Sequence, residues 1–122
     1  MSVPILRQGD VLIASIQVAQ TDADLLKLSG DMANKVGELR VRGVVIDVTA
    51  LDVLDSFATR MLRTIAHTSR LRGAATVVVG IQPEVAFAMV QLGLELGEIS
   101  TALDLDEGLA AIRGPRPLRG PR

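Results

Sequence analysis

The sequence has no cysteine, no tryptophan and no tyrosine, and it has a single histidine among 122 residues. Without cysteine the chain cannot form disulfides or thiolate metal sites, and thiol catalysis is excluded as well. One imidazole cannot supply the histidine-rich ligand set of a typical zinc centre. We therefore expect a cytoplasmic protein that uses neither a metal nor a cofactor.

Aromatic side chains are also scarce, since Phe57 and Phe87 are the only two. Proteins that bind single-stranded nucleic acid stack the bases on several rings, which this sequence lacks. The net charge is −1, and removing the three arginines of the last seven residues leaves −4 for the rest. An acidic body repels phosphates, so a nucleic-acid partner is not expected.

Long apolar runs are missing too. The longest are short segments such as "VVV" at 77–79, far below the ~20 residues that cross a bilayer. The opening "MSVPILRQGDVLIASI" is interrupted by Arg7 and Asp10, so it does not resemble a secretion signal. We expect neither a membrane association nor export.

Apolar residues make up 48% of the chain and fall into alternating strand-like and helix-like segments. A Gly-Asp turn between 3–7 and 11–18 predicts a hairpin. Further strands are predicted at 44–49, 75–81 and, more weakly, 98–101; helices are predicted at 21–39, 55–72, 83–94 and 104–113. The sequence thus predicts one small α/β domain over residues 1–113, with a mostly parallel mixed sheet, an N-terminal hairpin and about four helices. Residues 114–122, "GPRPLRGPR", predict a disordered tail.

The predicted third helix is apolar on more than one side. Val85 and Met89 share one face, whereas Phe87, Val90 and Leu94 lie around the cylinder from them. A surface helix usually keeps its apolar residues on one side. Contact with another chain and deep burial within the monomer both remain open interpretations.

Ser56 lies where the second helix should begin, in "VLDSFATRMLRTI". As a nucleophile it would need a nearby base, but His67 is eleven residues later on the same helix, a rise of ~16 Å. No GxSxG elbow surrounds it either. Helix capping is one remaining interpretation, for which Asp55 is at least as suitable. The other is that Ser56 accepts a phosphate, which the free amides of a helix N-terminus tolerate and Arg60 could pair with.

Two further groups of charged residues have competing interpretations. Arg60, Arg63, His67 and Arg70 line one helix face, either as an ordinary solvated surface or as a patch for an acidic partner. Asp47, Asp52 and Asp55 cluster around the carboxyl end of a predicted strand, where open α/β sheets usually place their sites, so a receiver domain is one interpretation. The acidic pair and the lysine that a receiver needs are absent from the segments "IQVAQ" and "ISTA".

The segment 44–65, "VVIDVTALDVLDSFATRMLRTI", resembles the signature of STAS domains, named for sulfate transporters and anti-sigma-factor antagonists. In both, a buried strand ends in aspartate, and a loop leads to Asp-Ser at the start of a helix. "GIQPEVAFAMVQLGL" and "STALDLDEGLAAI" are similar to the rest of the domain, so the likeness covers about 3–113. Within the family, the sequence resembles the RsbS-type antagonists of the bacterial stressosome.

This resemblance implies a non-enzymatic protein, dimeric and part of a large assembly with RsbR-type STAS paralogues, that holds an RsbT-type serine kinase. The kinase then phosphorylates the serine of the Asp-Ser motif, which Ser56 matches, and leaves to activate a phosphatase. A second acceptor in some members has Thr76 as its nearest match here. We expect the partner-binding residues to be Asp55, Phe57, Thr59, Arg60 and Arg63.

Two other functions stay open at this point. One is an anti-anti-sigma factor that binds an anti-sigma kinase one to one. The other is a receiver-like domain that carries phosphate on Asp47. The size of the assembly separates the first from a stressosome component, and the chemistry of the phosphate separates the second.

Overall fold

The computed structural model describes residues 3–114, so the predicted tail falls outside the described residues from residue 115 on. Residues 3–114 contain five strands and four helices, which alternate after an opening pair of strands. The strands are β1 (Ile5–Gln8), β2 (Val11–Ser15), β3 (Gly43–Asp47), β4 (Ala75–Val79) and β5 (Ser100–Ala102). The helices are α1 (Asp22–Leu39), α2 (Ser56–Leu71), α3 (Pro83–Gln91) and α4 (Leu105–Arg113).

The strands form one sheet in the order β1-β2-β3-β4-β5. β1 pairs antiparallel with β2 through the predicted hairpin, and the other three pairs are parallel. The predicted mixed α/β sheet is therefore confirmed. In the parallel part, Asp47 at the end of β3 lies beside Val79 of β4, so the carboxyl ends of these strands meet at one edge.

A capping box formed by Thr21 and Asp24 begins helix α1. The amide of Asp24 donates to the Thr21 hydroxyl at 3.0 Å, and the amide of Thr21 donates back to the Asp24 carboxylate at 3.3 Å. Hydrogen bonds to Thr21 lower the pKa of Asp24, and the bond to the Thr21 side chain has a larger effect than the bond to its backbone. The apolar side of α1 is buried, from Leu25 to Val36. The helix ends at Arg40, which has a left-handed backbone with φ 51°.

The sheet separates two apolar cores, because side chains alternate between its faces. Val44, Ile46 and Val78 point into the larger core with α1, α2 and α3. On the other face, α4 covers a smaller core through Leu109. The buried members of that smaller core are Val11, Ile13, Val45, Val77, Val79 and Leu109.

Helix α3 is shorter than its sequence predicts, since it ends at Gln91 and not near Leu94. Gly93 follows with φ 70°, a conformation that favours glycine and stops the helix. Only Val85 and Met89 of this helix are buried. Phe87 is 65% exposed and Val90 is 78% exposed, so deep burial within the monomer does not explain its apolar outer faces.

The described part of the chain contains no helix that is both long enough and apolar enough to span a bilayer.

Candidate functional site

The loop between β3 and α2, residues 48–55, is anchored to the body of the domain at both of its ends. The amide of Val48 donates to the carbonyl of Val79 at 3.0 Å, which extends the pairing of β3 with β4. Leu51 and Leu54 are 8% and 5% exposed and pack into the larger core. Because two leucines hold the loop down, the start of α2 has a defined position.

Asp47 helps to shape this loop from the last residue of β3. One of its carboxylate oxygens accepts from the amide of Thr49 at 2.9 Å and from the Thr49 hydroxyl at 2.6 Å. The side-chain amide of Gln82 in turn donates to the carbonyl of Thr49 at 2.8 Å. Asp47 therefore closes a local turn, an ordinary role for an aspartate after a strand. This use of its carboxylate weakens the hypothesis of a receiver-like phosphate on Asp47.

Asp55 is the N-cap of α2, and its carboxylate accepts from the amide of Ala58 at 2.8 Å. The interpretation of Asp55 as the cap is confirmed. Ser56 is then the first residue within the helix, with an exposed side chain. Its hydroxyl forms no hydrogen bond with any part of residues 3–114. Capping thus leaves the Ser56 hydroxyl unused and open to solvent.

The surface around Ser56 combines apolar and charged side chains. Val53 is 70% exposed in the preceding loop. The Arg60 guanidinium carbon lies 5.6 Å from the centroid of the Phe57 ring, a cation–π contact one turn into the helix. We call Val53, Asp55, Ser56, Phe57 and Arg60 the Ser56 surface. A dianion on Ser56 would meet the free amides of the first turn and the Arg60 cation.

The basic face of α2 consists of Arg60, Arg63, His67 and Arg70, and it extends along the helix from the Ser56 surface. The guanidinium of Arg63 donates to the carbonyl of Glu95 at 3.3 Å, and Arg70 forms an ion pair with Glu98 at 3.0 Å. His67 lies between them in a groove of about 420 Å³, bounded by α2 and the segment 96–98. Two of the four basic side chains thus fasten the chain after α3 onto α2, a structural role in addition to the predicted docking role.

No base among residues 3–114 is hydrogen-bonded to the Ser56 hydroxyl. His67 lies on the same helix, a rise of ~16 Å away along a regular helix axis. The only carboxylate next in sequence, that of Asp55, is already bound to the amide of Ala58. Nucleophilic catalysis needs a base within hydrogen-bond reach, so this arrangement does not support it.

Two predicted site residues lie in the wrong place for their predicted roles. Thr59 is 2% exposed and its hydroxyl donates to the carbonyl of Asp55 at 2.8 Å, so it cannot touch a docked partner. Thr76 is 6% exposed within β4, where a kinase cannot reach its hydroxyl. The burial of Thr59 argues against its predicted role as a contact residue, and the burial of Thr76 argues against a second acceptor there.

The sequence carried signals for the burial of both residues. Thr59, Leu62 and Ala66 are three and four residues apart, which puts Thr59 on the same buried, core-facing side of α2 as the other two. Thr76 belongs to a nearly continuous β-branched run, typical of a parallel strand covered on both faces.

Sequence reasoning also missed the residues that position the Ser56 surface. Thr49 and Gln82 hold the loop by hydrogen bonds, and Gly80 leaves room for the Thr49 side chain, which a β-carbon at residue 80 would strike. The Asp-x-Thr spacing from Asp47 to Thr49 is a local signal for the turn. The contact of Gln82 with the loop, across 33 residues of sequence, has no local signal.

Asp47, Asp52 and Asp55 are not brought together as a set of metal ligands. Residues 3–114 contain no group of three or more histidine, aspartate or glutamate side chains able to hold a metal ion.

Comparison with known proteins identifies relatives over almost the whole chain. The family model described as STAS domain matches residues 5–108. Among curated proteins, the RsbT co-antagonist protein RsbRA of Bacillus subtilis (strain 168) is 27% identical over 110 residues. The alignment covers 89% of this chain and 40% of the relative, so this chain spans well under half of that protein.

Two solved structures are similar in both sequence and shape. A serine-to-glutamate variant of RsbS from Moorella thermoacetica has 33% identity and a TM-score of 0.79, covering 91% of this chain and 94% of that one. A chain from the molecular architecture of the stressosome, described as a signal integration and transduction hub, has 34% identity and a TM-score of 0.74. That match covers 90% of this chain and 96% of that one.

Proposed function

We propose a function that proceeds from one fact: this chain belongs to the STAS domain family, whose model matches residues 5–108. In this proposal the protein is a non-enzymatic, cytoplasmic scaffold that holds an RsbT-type serine kinase and releases it when Ser56 is phosphorylated. The observation that carries the proposal is the exposed Ser56 hydroxyl at the first residue of α2, unused by capping and without a base.

The geometry supports an acceptor role more than a catalytic one. A phosphate on Ser56 would accept from unpaired amides of the first helical turn, so the added charge leaves α2 intact. It would also add a dianion beside the Asp55 carboxylate and draw Arg60 from its contact with Phe57. The Ser56 surface would then differ in charge and in apolar exposure, which changes what it binds without unfolding the domain.

The proposed partners follow from the similarity to stressosome proteins. The curated relative is named as a co-antagonist of RsbT, and one similar structure is a stressosome chain. We therefore propose that this chain co-assembles with RsbR-type STAS paralogues and that the assembly presents the Ser56 surface to the kinase. Asp55, Phe57, Arg60 and Arg63 are the proposed docking residues.

Phosphate transfer tests the proposal directly. After incubation with ATP and RsbT of Bacillus subtilis, the intact mass of the wild type should rise by one phosphate group. Ser56→Ala should gain none, because no other described hydroxyl combines exposure with this position. Ser100→Ala is the matched control, since it removes a different exposed serine, and it should behave as the wild type does.

The central assignment is wrong if Ser56→Ala gains the same phosphate as the wild type. An acid-labile acyl phosphate on Asp47 would instead favour the receiver-like alternative. Sedimentation with purified RsbRA separates the remaining alternatives. A particle far larger than either protein supports the stressosome proposal, whereas a persistent monomer or dimer supports a one-to-one anti-anti-sigma switch.

A further inference from the structure

We propose that the groove between α3 and β5 is a second docking site, and that it binds a partner-protein segment with an apolar face and basic flanks. We call it the α3–β5 groove; its lining includes Ala86, Met89, Val90, Leu94, Ala102 and Leu103. Its volume is about 480 Å³, which is room for several side chains. None of the residues of the Ser56 surface lines it, so this site is separate from the proposed switch.

The groove exposes more apolar surface than the fold requires. Val90 and Leu103, on its two sides, are each 78% exposed. Phe87, which precedes Val90 by one helical turn, is 65% exposed. Met89 is 6% exposed and holds α3 onto the larger core, so packing within the domain accounts for Met89 and not for its neighbours. Clustered exposed apolar side chains of this kind mark interaction sites.

The charge around the groove selects the partner. The stretch from residue 73 to residue 112 supplies every lining residue and contains no lysine, arginine or histidine. It contains six carboxylates, namely Glu84, Glu95, Glu98, Asp104, Asp106 and Glu107. Glu107 itself lines the groove, whereas Arg70 pairs with Glu98 and the Arg63 guanidinium donates to the carbonyl of Glu95, so the excess of negative charge lies on the side of residues 104–107. An apolar groove in an acidic surface favours apolar side chains flanked by lysine or arginine and disfavours acidic segments.

A second copy of this chain does not satisfy these requirements. Two copies joined symmetrically through the groove would bring the same acidic surface of each face to face, which is repulsive. The basic face of α2 from another copy has the right charge, but Leu62 and Ile65 are 2% and 1% exposed, and Leu71 at the last turn is the one large apolar residue of α2 that is mostly exposed. A single exposed leucine at the end of a helix is too little apolar surface to fill the groove, so we commit to a different protein as the partner.

Two designed peptides test the site. Both are amphipathic helices with the same leucine-rich apolar face, and one has lysine flanks whereas the other has glutamate flanks. Measured by fluorescence anisotropy on the full chain, the lysine peptide should bind more tightly by about tenfold or more. Added salt should weaken its binding, because the attraction between the flanks and the acidic surface is screened.

Variants then locate the binding. Val90→Asp should weaken the binding of the lysine peptide by about tenfold or more, because the substitution puts a charge into the apolar groove. Val18→Asp is the matched control, since Val18 is also exposed, at 58%, but lies outside the groove. It should bind as the wild type does. Circular dichroism should show that both variants remain folded.

Three outcomes would overturn the proposal. In the first, the two peptides bind equally or Val90→Asp has no effect. In the second, sedimentation shows a dimer of the chain that Val90→Asp abolishes, so the occupant is a second copy. In the third, deletion of residues 115–122, which include three arginines, raises the affinity of the lysine peptide, so the occupant is the chain's own terminus.

Discussion

At the residue scale, three hydroxyls among the candidate site residues have three different environments. Ser56 is exposed and without a hydrogen bond to residues 3–114, Thr59 donates to a helix carbonyl, and Thr76 is buried in β4. The side-chain chemistry is nearly the same, so position alone decides which one a partner can reach. Only Ser56 combines exposure with the first turn of a helix.

The Thr76 hydroxyl is buried and finds no hydrogen-bond partner within the described chain. Thr76→Val keeps the shape and removes the unpaired hydroxyl, so the free energy of unfolding should rise by about 1 kcal/mol. Thr59→Val is the counterpart, and it should lower the free energy of unfolding by about 1 kcal/mol because it breaks a 2.8 Å hydrogen bond to Asp55.

Urea unfolding followed by circular dichroism measures both changes, since the chain has no tryptophan or tyrosine for fluorescence. A loss of stability in Thr76→Val would mean that its hydroxyl has a partner and that its environment is polar. Neither variant should change phosphate transfer to Ser56.

At the element scale, α4 is the one helix among residues 3–114 that covers the smaller core, and it does so with nine residues. Such a short helix must lie close to the sheet to bury enough apolar surface. Gly108 makes this approach possible, because a β-carbon there would be 2.6 Å from a methyl group of Val79. Gly108 has a low helix propensity, which disfavours the helix, but its lack of a side chain lets α4 pack closely on the sheet.

Gly108→Ala should therefore lower the free energy of unfolding by about 1–3 kcal/mol through overpacking, although alanine is the better helix former. Gly30→Ala is the matched control, since Gly30 lies within α1 with nothing within 4 Å of its would-be β-carbon. That variant should be stabilised by about 0.5–1 kcal/mol. Thermal unfolding compares the melting temperatures of the two variants. Equal shifts in melting temperature for Gly108→Ala and Gly30→Ala would rule out the close packing of α4.

At the scale of the whole molecule, the two cores share their central strands. Val44 and Ile46 of β3 point into the larger core, whereas Val45 between them points into the smaller one. Loss of either core exposes one face of the same strands. The domain should therefore unfold as one cooperative unit.

Leu109→Ala, in the smaller core, tests this cooperativity. It should lower the free energy of unfolding by about 2–5 kcal/mol and leave a single transition. Hydrogen exchange should show α4 and β3 losing protection together. Separate melting of α4, with the rest of the sheet still protected, would contradict a shared core.

The charges are also segregated across the molecule. The helix α2 contains basic residues and no acidic ones, whereas the stretch from residue 73 to residue 112 contains acidic residues and no basic ones. This pattern places a basic face beside the Ser56 surface and an acidic surface around the α3–β5 groove. The two proposed docking sites should therefore select partners of opposite charge.

The sequence by itself determined the order and type of the elements, the caps of α1 and α2, and the likeness to STAS domains. These features depend on spacing between neighbours in the chain, since helix and strand periodicities and caps are local. The buried positions of Thr59 and Thr76 follow from the same periodicities once they are applied to polar residues.

Only the tertiary structure decided which side chains hold the loop before Ser56 and where apolar surface stays uncovered. The hydrogen bond from Gln82 to Thr49 and the facing of Val90 and Leu103 join segments far apart in sequence. The end of α3 at Gln91, where the sequence predicted a helix to about Leu94, was likewise decided by the folded chain. Contacts between distant segments depend on how the helices pack on the sheet, and no local pattern contains that information.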